Sequence, residues 1–301
     1  MAAPPIVPTH AMAAFGLRFA LAFALLAFIF VGPSVDLDQR LPGQRVIVTG
    51  ASYGIGEEIA LRYCLHGARV VLTARSERLL NEVAERCRAL HPQAEAHAVV
   101  SDLSTEAGCQ SLWDAARRKL DGGLDVLVLN HVLGVYDRWQ DISDRLALTR
   151  RIFDVNTFAY ITLAELARPS LEESKGSLVV VSSLAGRVGL PKVAPYAASK
   201  HALHGFFDSW RHDLQSAGAD VSTTMVVLGN IDTKVARKNT GPELDFLHWH
   251  SPRDAALAIV RGGSARVRNV FFPSVELRVM AWLHSVAPGV AHALLRFIIP
   301  S

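Results

Sequence analysis

Thr49-Gly50-Ala51-Ser52-Tyr53-Gly54-Ile55-Gly56 decides how this sequence folds. It follows a short β-branched run, Arg45-Val46-Ile47-Val48-Thr49, and opens a stretch with helical periodicity. Glycines at a strand-to-helix junction permit a tight turn and let the backbone come close to a pyrophosphate. The helix start adds free N–H groups and the positive end of its dipole. A glycine pattern alone is weak evidence, and its place inside a β-α-β unit is what makes it a dinucleotide turn. Gly50, Ser52, Tyr53, Gly54, Ile55 and Gly56 are therefore candidate cofactor-binding residues.

Outward from the turn, further apolar runs lie at 69–73, 96–100, 124–129, 177–181, 221–228 and 267–272. Each run except the last precedes a helical pattern. Near-continuous apolar strands separated by amphipathic helices predict a parallel sheet covered on both faces. Right-handed crossovers then give an α/β, doubly wound, Rossmann-like fold, placed here in a single domain over 41–275. Residues 238–251 have weak periodicity and read as a loop or lid over a site, or as a plain surface excursion.

The chain has 301 residues, and without its first 40 it keeps about 260, enough for one large core and too few for two full domains. The 31 basic and 28 acidic residues are spread along the chain with no basic block, which argues against a nucleic-acid partner. Cys64, Cys87 and Cys109 form no Cys-x-x-Cys pair and no histidines cluster with them, so neither a disulfide framework nor a metal site is expected.

Residues 1–40 read as a leader. Within it, 19–31 is FALAFALLAFIFV, uncharged, and the apolar anchor extends over about 11–32, long enough for a hydrocarbon core of roughly 30 Å. Arg18 on the entering side, against Asp36 and Asp38 beyond the exit, puts the folded domain on the lumenal side. A cleaved secretory signal is the alternative, though no small-x-small site closely follows the run. Residues 276–301 form an apolar helical segment broken by Pro288. With Arg278, His284, His292 and Arg296 it does not read as a second span. It faces a membrane or partner, or packs on its own domain.

Cofactor type follows from Leu72-Thr73-Ala74-Arg75-Ser76. An acidic residue there would bind a ribose 2′-hydroxyl, whereas Arg75 offers paired donors to a 2′-phosphate and so predicts NADP(H). The alternative is a solvated helix-start arginine. Asp102, after the third strand, can accept from the adenine, cap a helix, or do both.

Tyr196-Ala197-Ala198-Ser199-Lys200 puts a phenol and an ammonium on one helix face. A phenol near pKa 10 needs a nearby cation to work at neutral pH, and Lys200 is expected to lower it. Ser183 ends the fifth strand, at the sheet edge where ligands bind in this architecture, and can hold a substrate oxygen opposite Tyr196.

With these residues in view, the chain resembles the short-chain dehydrogenase/reductase family, most closely its 11β-hydroxysteroid dehydrogenase type 1 branch, over roughly 41–275. The carriers are TGASYGIG at 49–56, VLTARS at 71–76, GGLDVLVLNH at 122–131, Val155-Asn156, GSLVVVSSLAGRV at 176–188, YAASK at 196–200 and VLGNIDT at 227–233. The resemblance implies that Asn156 joins Ser183, Tyr196 and Lys200 as a catalytic group, holding a water beside the lysine. It implies cofactor contacts for Ile231 and Thr233, and a sheet-stabilising role beside the adenosine for Asn130. It also implies an endoplasmic-reticulum anchor, a lumenal domain and a homodimer. His131 and Leu228-Gly229 stand where the broader family has other residues, and Tyr53 replaces a lysine of many NADP-preferring relatives. The expected activity is NADP(H)-dependent interconversion of a ketone and a secondary alcohol on a lipophilic substrate, a steroid by resemblance. A keto-lipid, a retinoid, or a catalytically silent scaffold are the alternatives.

Overall fold

The computed structural model describes residues 35–298, and the leader with its apolar anchor lies outside them. The strands are β1 Arg45–Thr49, β2 Arg69–Ala74, β3 Glu95–Val100, β4 Val126–Leu129, β5 Ser177–Ser183, β6 Ser222–Leu228 and β7 Asn269–Phe272. All pairings are parallel, in the order β3-β2-β1-β4-β5-β6-β7. The order reverses between β1 and β4, which opens a crevice beyond their carboxyl ends.

Alternation along each strand builds two cores. On one face Val46, Val48, Val70, Leu72, Val128 and Val179 pack under Ile59, Tyr63 and Ile259. On the other, Ile47, Val71, Leu127, Leu178 and Val180 pack under Leu112, Tyr160, Leu163 and Phe207. Each fully buried aliphatic side chain contributes about 1.5–3 kcal/mol by leaving water.

The covering helices are α1 Leu37–Arg40, α2 Gly54–Leu65, α3 Glu77–Arg88, α4 Glu106–Lys119, α5 Arg145–Phe153, α6 Ala159–Ser174, α7 Ala194–Ser216, α8 Lys234–Thr240, α9 Pro252–Ser264, α10 Ser274–Val286 and α11 Pro288–Ile298. A π-helical turn, Asp154–Phe158, joins α5 to α6. The expected loop at 238–251 is partly helical: α8 runs to Thr240, and a 3-10 turn, Gly241–Leu244, follows it. No residue of α8 is fully buried, so it carries no apolar stripe from which periodicity could be read.

Pro288 starts α11, as its fixed φ and missing N–H favour. The two C-terminal helices bury Leu277, Ala291 and Leu295 while leaving Val279, Trp282, Val290 and Phe297 exposed. Among the described residues no helix is long and apolar enough to cross a membrane.

Candidate active site

The glycine turn owes its shape to two close approaches. Gly50 has φ +66°, and a Cβ there would lie 2.8 Å from the His131 Cα. At Gly56 a Cβ would meet the Gly50 carbonyl oxygen at 2.1 Å, so only glycine lets α2 start this close to the turn. Tyr53 precedes α2 without a side-chain cap, which leaves the first-turn N–H groups for an anion. Asn130 ties the turn to β4: its backbone N–H donates to Thr49 Oγ1 at 2.8 Å, and its amide to the Thr49 carbonyl at 3.2 Å.

A cavity of about 420 Å³ runs from this turn along the carboxyl ends of the strands. Gly50, Ser52, Tyr53, Gly54, Ile55, Gly56, Arg75, Asp102, Asn130, Ser183, Tyr196, Lys200, Ile231 and Thr233 all line it. At one end Arg75 is exposed and free of ion pairs among the described residues. Asp102 is held below the usual carboxylate range, first by hydrogen bonds from Ser104 and then by the charges of Arg75 and Arg151. The expected capping alternative for Asp102 is corrected here: Thr105 caps α4, accepting from the Gly108 N–H at 3.0 Å. Arg151, which the sequence reading passed over, also lines this end.

At the other end α7 carries Tyr196 and Lys200 into the same cavity, below Ser183 at the end of β5. Lys200 is 2% exposed. Its ammonium donates to the Val181 carbonyl at 2.9 Å and sits 5.0 Å above the Tyr160 ring. Burial lowers its pKa to about 7. The phenol of Tyr196 is pushed above its ordinary value by burial, and a hydrogen bond with Ser183 opposes that rise. The expected lowering by Lys200 is therefore not what this packing displays. Desolvation is the larger influence, and the partner that draws the phenol down is Ser183.

Asn156 lies in the π-helical turn, fully buried and outside the cavity lining. Its Oδ1 accepts from the Leu133 N–H at 2.7 Å, and its Nδ2 donates to the Leu133 carbonyl at 2.9 Å and to Ser199 Oγ at 3.1 Å. Ser199 Oγ donates to the Tyr196 carbonyl at 2.7 Å. Asn156 thus clamps the segment after β4 to the Tyr196 turn of α7, with no hydrogen bond to Lys200 among the described residues. Ser199 and Leu133 were missed from sequence because a buried hydroxyl and a backbone amide carry no pattern of their own.

His131 is buried behind the glycine turn. Its Nδ1 pairs with Thr49 Oγ1 at 2.8 Å, and its ring lies 4.6 Å from that of Tyr160, whose hydroxyl donates to the His131 carbonyl at 2.7 Å. Burial, helped by the Lys200 charge, lowers its pKa to about 3. It is neutral at working pH and braces the wall of the site. His204, also buried and lowered to about 3, pairs with Ser182 Oγ at 3.0 Å.

A fold of this order, with a glycine turn and a Ser-Tyr-Lys set facing one cavity, defines a nucleotide-dependent oxidoreductase of one particular kind. The short chain dehydrogenase family matches residues 44–243, and this chain belongs to that family. Within the family it is related to the 11β-hydroxysteroid dehydrogenase 1 branch. The hydroxysteroid 11-beta-dehydrogenase 1-like protein of Gallus gallus is 42% identical over 236 residues, covering 78% of this chain and 80% of the relative. Among solved structures, a metagenomic short-chain oxidoreductase in complex with NADP is 28% identical with a TM-score of 0.64, covering 77% of this chain and 97% of that one. A short chain dehydrogenase/reductase from Burkholderia phymatum in complex with NAD is 21% identical with a TM-score of 0.71, covering 82% and 96%, and speaks to the fold alone.

Proposed function

We propose that this chain is an NADP(H)-dependent oxidoreductase that interconverts a ketone and a secondary alcohol on a lipophilic, steroid-like substrate. The observation that carries the reading is that Ser183, Tyr196 and Lys200 share one cavity with an uncapped glycine turn. The cradle fits the cofactor: positions where a Cβ would collide line the turn, and an unpaired cation stands where the adenosine ribose would lie.

When bound, the nicotinamide supplies hydride in reduction and accepts it in oxidation. Ser183 Oγ holds and polarises the substrate oxygen. Tyr196 Oη gives that oxygen a proton, and its raised pKa keeps it protonated at neutral pH. Lys200 Nζ, with a pKa near the working pH, exchanges protons beside the phenol. Asn156 holds α7 against the segment after β4, which fixes where Tyr196 points.

Support for NADP(H) over NAD(H) is Arg75, exposed at the end of β2 where a carboxylate would favour NAD(H), and the NADP carried by the 28%-identical relative. The substrate class is supported by the branch and by the apolar lining from Leu133, Val135, Val193 and Val235. Purified enzyme should oxidise NADPH with a ketosteroid from a panel, and Arg75→Asp should move the NADPH/NADH preference at least about tenfold toward NADH. Silence across the panel sinks the activity, and an unmoved ratio sinks the phosphate contact. The same reading extends to anchorage in the endoplasmic-reticulum membrane with a lumenal domain, and to a homodimer. The apolar run at 19–31 and the exposed faces of α10 and α11 support these parts. Protease protection in sealed microsomes and light scattering of the solubilised protein test them.

A further inference from the structure

The last three residues of β5 are each met by one face of α7, and the chemistry just described uses only two of those meetings. Tyr196, Lys200 and His204 stand at i, i+4 and i+8 of that helix, a single stripe. The Tyr196 phenol hydrogen-bonds with Ser183, and the Lys200 ammonium donates to the Val181 carbonyl at 2.9 Å. Between these two in the strand, Ser182 Oγ pairs with His204 Nε2 at 3.0 Å. Ser182 and His204 are 3% and 5% exposed, and the second ring nitrogen, Nδ1, is buried without a partner among the described residues. The bond to Ser182 is what fixes this ring.

The pair also carries the turn that shapes Ser183. Directly after β5 the 3-10 turn Leu184–Gly186 folds back over it. A Cβ on Gly186 would come 2.7 Å from Ser182 Oγ and 2.9 Å from His204 Cδ2, so the turn rests on both side chains. Within the turn the Ala185 N–H donates to Ser183 Oγ at 3.2 Å. A serine oxygen that already accepts from the backbone still has its own proton to give, which is what a substrate oxygen needs from it. Removing one member of a buried polar pair leaves the other unsatisfied, so the arrangement is costly to lose.

We infer that His204 is a positioning residue for Ser183: by clasping Ser182 it seats the Leu184–Gly186 turn, and the turn aims the Ser183 hydroxyl at the reacting oxygen. The consequence for turnover rests on the proposed oxidoreductase reading, while the clasp is a property of the fold. His204 is not among the residues that line the cavity, so its loss should leave binding alone and fall on the chemical step. A misplacement of about 1 Å at a reacting group can cost about a hundredfold in rate.

The test uses the full chain, detergent-solubilised, with NADPH and a panel of ketosteroids. Steady-state kinetics, NADPH binding and hydrogen exchange at the Ala185 amide are measured for wild type, Ser182→Ala, His204→Leu, the double variant and His204→Gln. His204→Leu should lower kcat about tenfold to a hundredfold, hold KM and NADPH Kd within about twofold, and speed Ala185 exchange about tenfold. Ser182→Ala should do the same, and the double variant should lose no more than either alone. His204→Gln, whose amide can still reach Ser182, should recover part of kcat. A kcat within about threefold of wild type in both single variants, a loss that His204→Gln does not recover, or an unmoved Ala185 exchange each overturns the inference. Faster exchange in His204→Leu beside a wild type that consumes no NADPH with any ketosteroid would sink the reductase reading and leave the clasp standing.

Discussion

The two banks of the cavity are held by different forces. On the β4–β5 bank, Thr49, Asn130, His131 and Tyr160 form one buried or half-buried hydrogen-bonded group, Asn156 and Ser199 form another with the Tyr196 carbonyl, and Lys200 donates to the Val181 carbonyl. On the α8 bank no residue of the helix is fully buried, and its fixings are the exposed ion pairs of Arg237. Buried networks are costly to break, whereas exposed pairs contribute about 0–1 kcal/mol. The Ser183-Tyr196-Lys200 set therefore stands on the bank held by buried hydrogen bonds, and Val235, Ala236, Asn239 and Thr240 line the bank held by exposed pairs.

The sharpest way to break that contrast is at the phenol. Tyr196→Phe should lower kcat about 10²–10⁴-fold with NADPH affinity retained, measured by single-turnover kinetics and by fluorescence titration. Activity within a few-fold of wild type would remove Tyr196 from the proton step.

That residue also shows what was legible. The glycine turn, the strands and the Ser183-Tyr196-Lys200 set are local patterns, readable because strand period, turn chemistry and i,i+4 spacing are properties of neighbouring residues. Asn156 binding Leu133, 23 residues away, and Asn156 binding Ser199, 43 residues away, are properties of the fold. Burial is likewise absent from spacing. The sequence places Lys200 one turn from Tyr196, but says nothing of the desolvation that lowers the ammonium and raises the phenol. Only the end of α8, from residue 238, falls in the stretch expected as loop, because its inner face mixes Asn239 and Thr240 with Val235 and Ala236, and its helicity follows from what surrounds it.

A smaller effect separates the banks by acidity. His131 and His204 belong to the rigid side, and burial lowers both from the ordinary 6.5 to about 3. The unfolded chain binds these protons near pH 6.5, and the native chain does not until about pH 3. Stability therefore falls as pH drops through 6.5, by about 2 kcal/mol for each histidine at pH 5. Urea titrations of the unliganded protein at pH 7 and pH 5 should show that loss, and His204→Gln should lessen it by about half. A loss that His204→Gln leaves untouched would place the acid sensitivity elsewhere.

The smallest expected effect lies on the α8 bank. Arg237→Ala should raise the KM for the lipophilic substrate several-fold, leave kcat unchanged, and reduce stability by no more than about 1 kcal/mol. A matching fall in kcat would mean that α8 positions the reacting groups after all, and the division between the banks would dissolve.

The wide turn at Asp154–Phe158 has a consequence for how this chain tolerates length changes. Without it, α5 and α6 would join as one regular rod. A π-turn absorbs one extra residue, so excising a single residue there would close it to regular α-helix with the flanking faces kept in register. Asn156 and Thr157 could not then both meet Ser199, so a lone deletion in this stretch should release the clasp on the Tyr196 turn while α6 keeps its Tyr160–His131 contact.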